Sequence, residues 1–270
     1  MTRGSGRGGL VGSGSPAPRV VAGATPAVLA VHGFGGTPLE IELAVDVAAR
    51  LGLAARAPLL PGHGKHAQHL ARTGWADWSR SVEDALTELT ATGDRVIAVG
   101  LSLGSLLATH AALRAPERVA GLVLLANAFW LRAPFPDWAL WAVDRLRLPD
   151  VHLPKPSADI QDPIARGNHL TLSAQPSRAA AEVWRAGRRL RARLHQVRCP
   201  VLILHGSADR VCPVSNAHRV ASRLGSSDVT VKTFDRSGHI VTRDHDRDAV
   251  ARELEQFFRR LSGPQRPVEP

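Results

Sequence analysis

The stretch Val96-Ile97-Ala98-Val99-Gly100-Leu101-Ser102-Leu103-Gly104 constrains this chain more than any other. Val96 to Val99 is a short, unbroken apolar run, the pattern of a strand buried on both faces. Leu103 to Leu113 has helical spacing. Only a sharp strand-to-helix turn fits between them. Such a turn brings two backbone segments so close that glycine is needed two residues before and two after its centre. The turn also lifts the Ser102 hydroxyl to the C-terminal edge of the sheet, where open α/β sheets bind ligands.

The same alternation runs along most of the chain. Strands are expected at Ala27 to Val31, Leu53 to Leu59, Val96 to Val99, Val119 to Leu125, Val201 to Leu204 and Val229 to Phe234. Helices are expected at Leu39 to Leu51, Trp75 to Thr90, Leu103 to Leu113, Asn216 to Leu224 and Ala249 to Leu261. Near-continuous apolar strands between helices predict an α/β fold, with a mostly parallel sheet covered on both faces. Residues 127 to 197 are far longer than a normal crossover and predict a small inserted cap. Residues 1 to 19, rich in Gly, Ser, Pro and Arg, predict a disordered tail ahead of one domain over 20 to 270. Gly4, Gly6 and Gly9 satisfy G-x-G-x-x-G, but no strand precedes them and no helix follows, so the dinucleotide reading fails.

Composition excludes several function classes. The formal net charge is +10, which raises nucleic acid as a partner. The basic residues are scattered, however, and the densest cluster, Arg185 to Arg193, lacks interleaved aromatics, so no nucleic-acid partner is expected. The longest apolar run, Val119 to Leu131, is too short for a membrane span and is interrupted by Asn127. The N-terminus has no apolar core of a secretory signal. Cys199 and Cys212 do not make a disulfide framework, which favours a reducing, cytoplasmic setting.

A serine hydroxyl needs a base, an orienter for that base, and donors for an oxyanion. Leu103 opens a helix, so its N–H is free and lies at the positive end of the helix dipole. The loop His32-Gly33-Phe34-Gly35-Gly36 follows the first clear strand, and the Phe34 N–H is the expected second donor. The Phe34 ring is also placed to wall a substrate pocket. Asp209 falls just past the strand 201–204, and His239 just past the strand 229–234. The order Ser102, Asp209, His239 puts all three at one sheet edge. Asp209 would hold the His239 Nδ1–H, and Nε2 would take the Ser102 proton. His205 competes as base and Asp235 as acid. His245, Asp244, Asp246 and Asp248 are expected to open the final helix. His63, His66 and His69 are spaced like metal ligands but lack a carboxylate partner, so no metal is expected.

These residues carry a family resemblance. V-H-G-F-G-G-T-P (31–38), P-L-L-P-G-H-G (58–64), W-A-D-W (75–78), V-G-L-S-L-G (99–104), H-G-S-A-D-R-V-C-P (205–213) and R-S-G-H-I-V-T-R-D (236–244) resemble, in order, the α/β-hydrolase superfamily. Within it the chain looks like bacterial carboxylesterases and monoacylglycerol lipases with a small cap. It departs at Ser105, where the family usually has glycine. The resemblance implies a Ser-His-Asp serine hydrolase with catalytic Ser102, Asp209 and His239 and oxyanion donors Phe34 and Leu103. It implies cleavage of a small-molecule ester or monoacylglycerol through an acyl-enzyme, with no cofactor. Phe34, Phe129 and Trp130, with Trp138 and Trp141 nearby, are the expected apolar substrate contacts. Thioester cleavage or acyl transfer by the same triad is the alternative, and a non-catalytic scaffold or ligand sensor is a third reading.

Overall fold

The structure is a computed structural model, which describes residues 8–132, 141–143, 145–146, 149–155 and 157–263. In chain order the strands are β1 (Leu10–Val11), β2 (Arg19–Val21), β3 (Ala24–Val31), β4 (Leu53–Ala57), β5 (Val96–Leu101), β6 (Val119–Leu125), β7 (His152–Pro154), β8 (Thr171–Leu172), β9 (Ala174–Pro176), β10 (Val201–Gly206) and β11 (Val229–Phe234). The helices are α1 (Glu42–Arg50), α2 (Ala67–Leu70), α3 (Trp75–Leu89), α4 (Leu103–Arg114), α5 (Pro163–Gly167), α6 (Ser177–Arg191), α7 (Ser215–Ala221) and α8 (Arg247–Ser262).

Seven strands form the central sheet in the order β11-β10-β6-β5-β3-β4-β2. All neighbours are parallel except β2, which joins β4 antiparallel at one edge. Every residue of β5, β6 and β10 is buried. That explains why these strands read as unbroken apolar runs rather than as alternations. Successive side chains nevertheless go to opposite faces. Leu29, Val31, Ala98 and Leu124 pack with Trp78, Leu106 and Leu107 on one face. Val28, Ala30, Ile97 and Val99 pack with Ile41, Val45, Leu254 and Phe258 on the other.

The expected elements are present, with shifted ends. The helix expected from Leu39 begins as a 3-10 turn, Pro38–Glu40, and becomes α-helical at Glu42. Pro38 supplies no N–H and starts the turn in a favourable position. Between β6 and β10 the chain forms β7, α5, β8, β9 and α6 before returning to the sheet. The short strands β7 and β9 pair antiparallel.

The expected disordered tail differs from the structure over its second half. Residues 1–7 lie outside the described residues. Beyond them, Leu10–Val11 pairs antiparallel with Thr171–Leu172, and Ser173 N–H donates to the Gly9 carbonyl at 3.0 Å. Arg19 to Val21 forms the edge strand on β4. The partner of Leu10–Val11 lies more than 150 residues away, and local composition carries no trace of it.

Candidate active site

The β5–α4 turn places Ser102 at φ 55°, ψ −116°. This is a sparsely populated region for a residue with a side chain, the kind of strain that persists only where packing over-determines it. The crowding is concrete. A Cβ on Gly100 would lie 2.0 Å from the Gly104 carbonyl oxygen, and one on Gly104 would lie 2.0 Å from that of Val31. Ser105 continues the same tight geometry. Its hydroxyl donates to the Ser102 carbonyl at 2.6 Å and accepts the Ala128 N–H at 3.2 Å.

Asp209 lies in the turn after β10. One carboxylate oxygen, Oδ1, accepts the Val211 and Cys212 N–H groups at 2.8 Å each. The other, Oδ2, is 2.8 Å from His239 Nδ1 and 3.0 Å from His205 Nε2. Burial works against the Asp209 charge, but the two imidazoles outweigh it and hold the carboxyl below its usual range. The His239 imidazole is likewise buried, which disfavours its charge. The Asp209 carboxylate, with Asp159 and Glu40 farther out, reverses that effect and raises its basicity.

The His239 loop is built by a residue whose role the sequence reading missed. Asp244, expected at the start of the final helix, is buried and accepts the N–H groups of Gly238, Gln161, Asp162 and His245 at 2.8 to 2.9 Å. It ties the His239 loop to the β6–β10 crossover. Burial raises its pKa, but these four donors outweigh it and hold the carboxyl low. Asp246, the N-cap of α8, accepts the Ser237 hydroxyl at 2.8 Å.

Ser102 and His239 line one cavity of about 240 Å³, with Gly33, Phe34, Leu101, Val211 and Ile240 from the body of the fold. The crossover supplies Leu131, Lys155, Ser157, Asp159, Gln175, Ala180 and Val183. Phe34 is one of the residues that line the cavity. Its N–H has no hydrogen-bond partner among the described residues. The Leu103 N–H opens α4 and has no acceptor within its helix.

Two expected substrate contacts are corrected. Phe129 is fully buried in the core. The Trp130 ring is covered by the guanidinium groups of Arg191, Arg219 and Arg223. Neither lines the cavity, and the next residue, Leu131, does. Trp141 is exposed, and Trp138 lies outside the described residues.

The competing residues go elsewhere. His205 is fully buried behind Asp209, 3.3 Å from the Cys212 carbonyl. Asp235 is exposed and accepts the Ser207 hydroxyl. His245 is exposed. His63 packs edge-to-face against His32, Phe34 and Trp78, and burial drives its pKa down to about 3. Among the described residues, one group, Asp209, Cys212 and His239, has three potential metal-ligand atoms within 4.8 Å of one another. Burial, followed by the nearby Asp209 and Asp159 carboxylates, pushes the Cys212 thiol far up. It is therefore a poor thiolate ligand, while Asp209 and His239 are engaged with each other.

A third buried carboxylate, Glu40, lines the cavity itself and was not singled out from sequence. Its Oε2 accepts the Gly33 N–H at 2.8 Å, and its Oε1 is 3.2 Å from His169 Nε2. Burial opposes its charge, but the His169 bond and the nearby Lys155 and His32 lower its pKa to about 2.

Residues 23–246 match the family described as serine aminopeptidase, S33 (Hydrolase_4). The thermostable monoacylglycerol lipase of Bacillus sp. (strain H-257) is 28% identical over 236 residues, 87% of this chain and 91% of that one. The pimeloyl-[acyl-carrier protein] methyl ester esterase of Aromatoleum aromaticum (strain DSM 19018 / LMG 30748 / EbN1) is 30% identical over 83% of this chain and 95% of its own length. A solved structure of the metagenome-derived lipolytic enzymes LipS and LipT superposes with a TM-score of 0.84 at 27% identity, covering 91% of this chain and 98% of that one.

Proposed function

Because this chain belongs to the S33 serine aminopeptidase family of α/β-hydrolases, we propose that it hydrolyses carboxylic esters through a Ser102–His239–Asp209 triad. The observation that carries the reading is the strained Ser102 on the same cavity as His239, whose Nδ1 is 2.8 Å from a buried Asp209. The relatives named as ester hydrolases support esters over peptides as the substrate class. The crossover residues that cover the cavity act as its cap.

The chemistry follows from the arrangement. Asp209 keeps the His239 proton on Nδ1, which leaves Nε2 free to act as base. Nε2 takes the Ser102 hydroxyl proton as Oγ attacks the ester carbonyl. The C=O π bond opens, and the charge moves to oxygen. The N–H groups of Phe34 and Leu103 receive that oxyanion, aided by the N-terminal dipole of α4. Collapse breaks the bond to the alcohol oxygen, which leaves with the proton from His239. Water then repeats the sequence on the acyl-enzyme and releases the acid.

The cavity walls Phe34, Leu101, Leu131, Val183 and Ile240 suit an acyl chain. Ser157, Asp159 and Gln175 suit the polar end of a small ester or monoacylglycerol. The two free thiols fit a cytoplasmic setting. Among the described residues, no helix is long and apolar enough to cross a membrane.

The test is hydrolysis of p-nitrophenyl esters of graded length and of monoacylglycerols, beside matched thioesters and aminoacyl p-nitroanilides. Turnover of esters by the wild type and its loss in Ser102→Ala support the proposal. Preferential turnover of anilides or thioesters would redirect it.

A further inference from the structure

The peptide groups one residue out from Phe34 on each side, His32–Gly33 and Gly35–Gly36, are held by side chains and backbone linked to the crossover. Behind Phe34, the Gly33 N–H is bound by Glu40, and Glu40 is bound by His169 on the crossover. Ahead of Phe34, the Gly35 carbonyl accepts the Leu172 N–H at 3.0 Å and the Thr171 hydroxyl at 3.1 Å. Thr171 in turn accepts from Lys155 Nζ at 3.0 Å. Glu40, His169 and Thr171 are all buried. Within the loop, the Gly33 carbonyl, on the peptide that carries the Phe34 N–H, is 2.9 Å from the His32 ring and accepts the Gly36 N–H at 3.2 Å.

We infer that the crossover strap His169–Leu172 completes the oxyanion hole, with Glu40, His169 and Thr171 as positioning residues for the Phe34 N–H. This rests on the triad reading above. An oxyanion donor works only when held within a few tenths of an ångström of the place where charge develops. Glycines flank Phe34, so beyond the turn bond from Gly36 to Gly33 the loop depends on outside contacts for its orientation. Its orientation is supplied by bonds at both ends, the strap holding the Gly35 end directly and the Gly33 end through Glu40. In the tetrahedral state the strap therefore does more than cover the cavity, because it fixes the donor that stabilises the charge.

The experiment uses the full chain and reads kcat, KM and affinity for an alkyl trifluoromethyl ketone. Ser102 adds to that ketone, whose oxygen then occupies the oxyanion hole. Removing one oxyanion donor costs roughly 10²–10³ in kcat, so a loosened donor is expected to cost about ten- to a hundredfold. Thr171→Val and Glu40→Ala should lower kcat by that factor, leave KM within about twofold, and weaken the ketone in parallel. Glu40→Gln keeps an oxygen for the Gly33 N–H and should recover most of kcat. If Glu40→Ala fails to fold, Thr171→Val decides.

A rise in KM with kcat unchanged, or wild-type ketone affinity in Thr171→Val, would overturn the inference. Ser102→Ala separates the two readings. An inactive Ser102→Ala beside fully active Thr171 and Glu40 variants sinks the strap alone. An active Ser102→Ala sinks the triad and the strap together.

Discussion

His205 and His239 share a single oxygen of Asp209, at 3.0 and 2.8 Å. Only His239 reaches the cavity. The carboxylate is therefore gripped from behind by one imidazole and grips the other in front.

This asymmetry sets the first prediction. Asp209→Asn leaves the shape intact but supports the wrong His239 tautomer, and kcat should fall by about 10⁴-fold. His205→Ala should cost far less, because His239 Nδ1 keeps its acceptor. His239→Ala should abolish turnover, while His245→Ala should match the wild type. Steady-state ester hydrolysis checks all four. Equal losses at His239 and His245 would contradict the assignment.

The pH profile follows from the same pair. Burial disfavours the charged His239, but Asp209 outweighs it and raises the pKa above the usual 6.5. A general base must be neutral, so kcat/KM should fall as pH drops through that raised value. Asp209→Asn removes the partner that raises it, so the acid limb of its residual activity should move to lower pH.

Stability has its own pH dependence at Glu40. Its folded pKa is lowered from 4.5 to about 2. A depressed carboxylate contributes stability above its unfolded pKa and loses it as pH falls through the folded one. Wild-type Tm should therefore decline between about pH 4.5 and pH 2, with part of that slope missing in Glu40→Gln. The raised His239 has the opposite sign: its contribution is present below 6.5 and is lost as pH rises through its folded value.

The elbow glycines make a stability prediction. A methyl on Gly104 meets the Val31 carbonyl at 2.0 Å, whereas one on Gly167 meets nothing within 4 Å. Gly104→Ala should cost several kcal/mol, on the order of 3 or more, as backbone overpacking. Gly167→Ala should stay within about 1 kcal/mol of the wild type. Urea midpoints compare them directly.

The N-terminal segment makes the last structural prediction. β1 pairs with Thr171 and Leu172, the strap that holds the Gly35 carbonyl. Deleting residues 1–14 should lower kcat severalfold with little change in KM. An unchanged kcat would mean that the strap stands without β1.

The sequence made the sheet and the turn legible because both are local. A strand buried on two faces must be apolar throughout, and the elbow must have its glycines. The helix expected at 216–224 ends at Ala221, an ordinary uncertainty of helix ends. What stayed hidden depends on distant partners. Glu40 looks like one acid in an apolar stretch, and only Gly33 and His169 make it a buried anchor. Asp244 sits among surface aspartates, and its four backbone donors come from two separate loops. Leu10 and Val11 gain a partner that no nearby residue announces. The aromatics of the crossover misled for a related reason: Phe129 and Trp130 carry the composition of a substrate pocket, but the core and an arginine cluster claim them.

The most direct measurement is intact-protein and peptide mass spectrometry after a fluorophosphonate probe. One adduct per chain, on the Ser102 peptide and absent in Ser102→Ala, is the predicted result. Labelling that persists in Ser102→Ala, or an unlabelled wild type that still cleaves esters, would contradict the account.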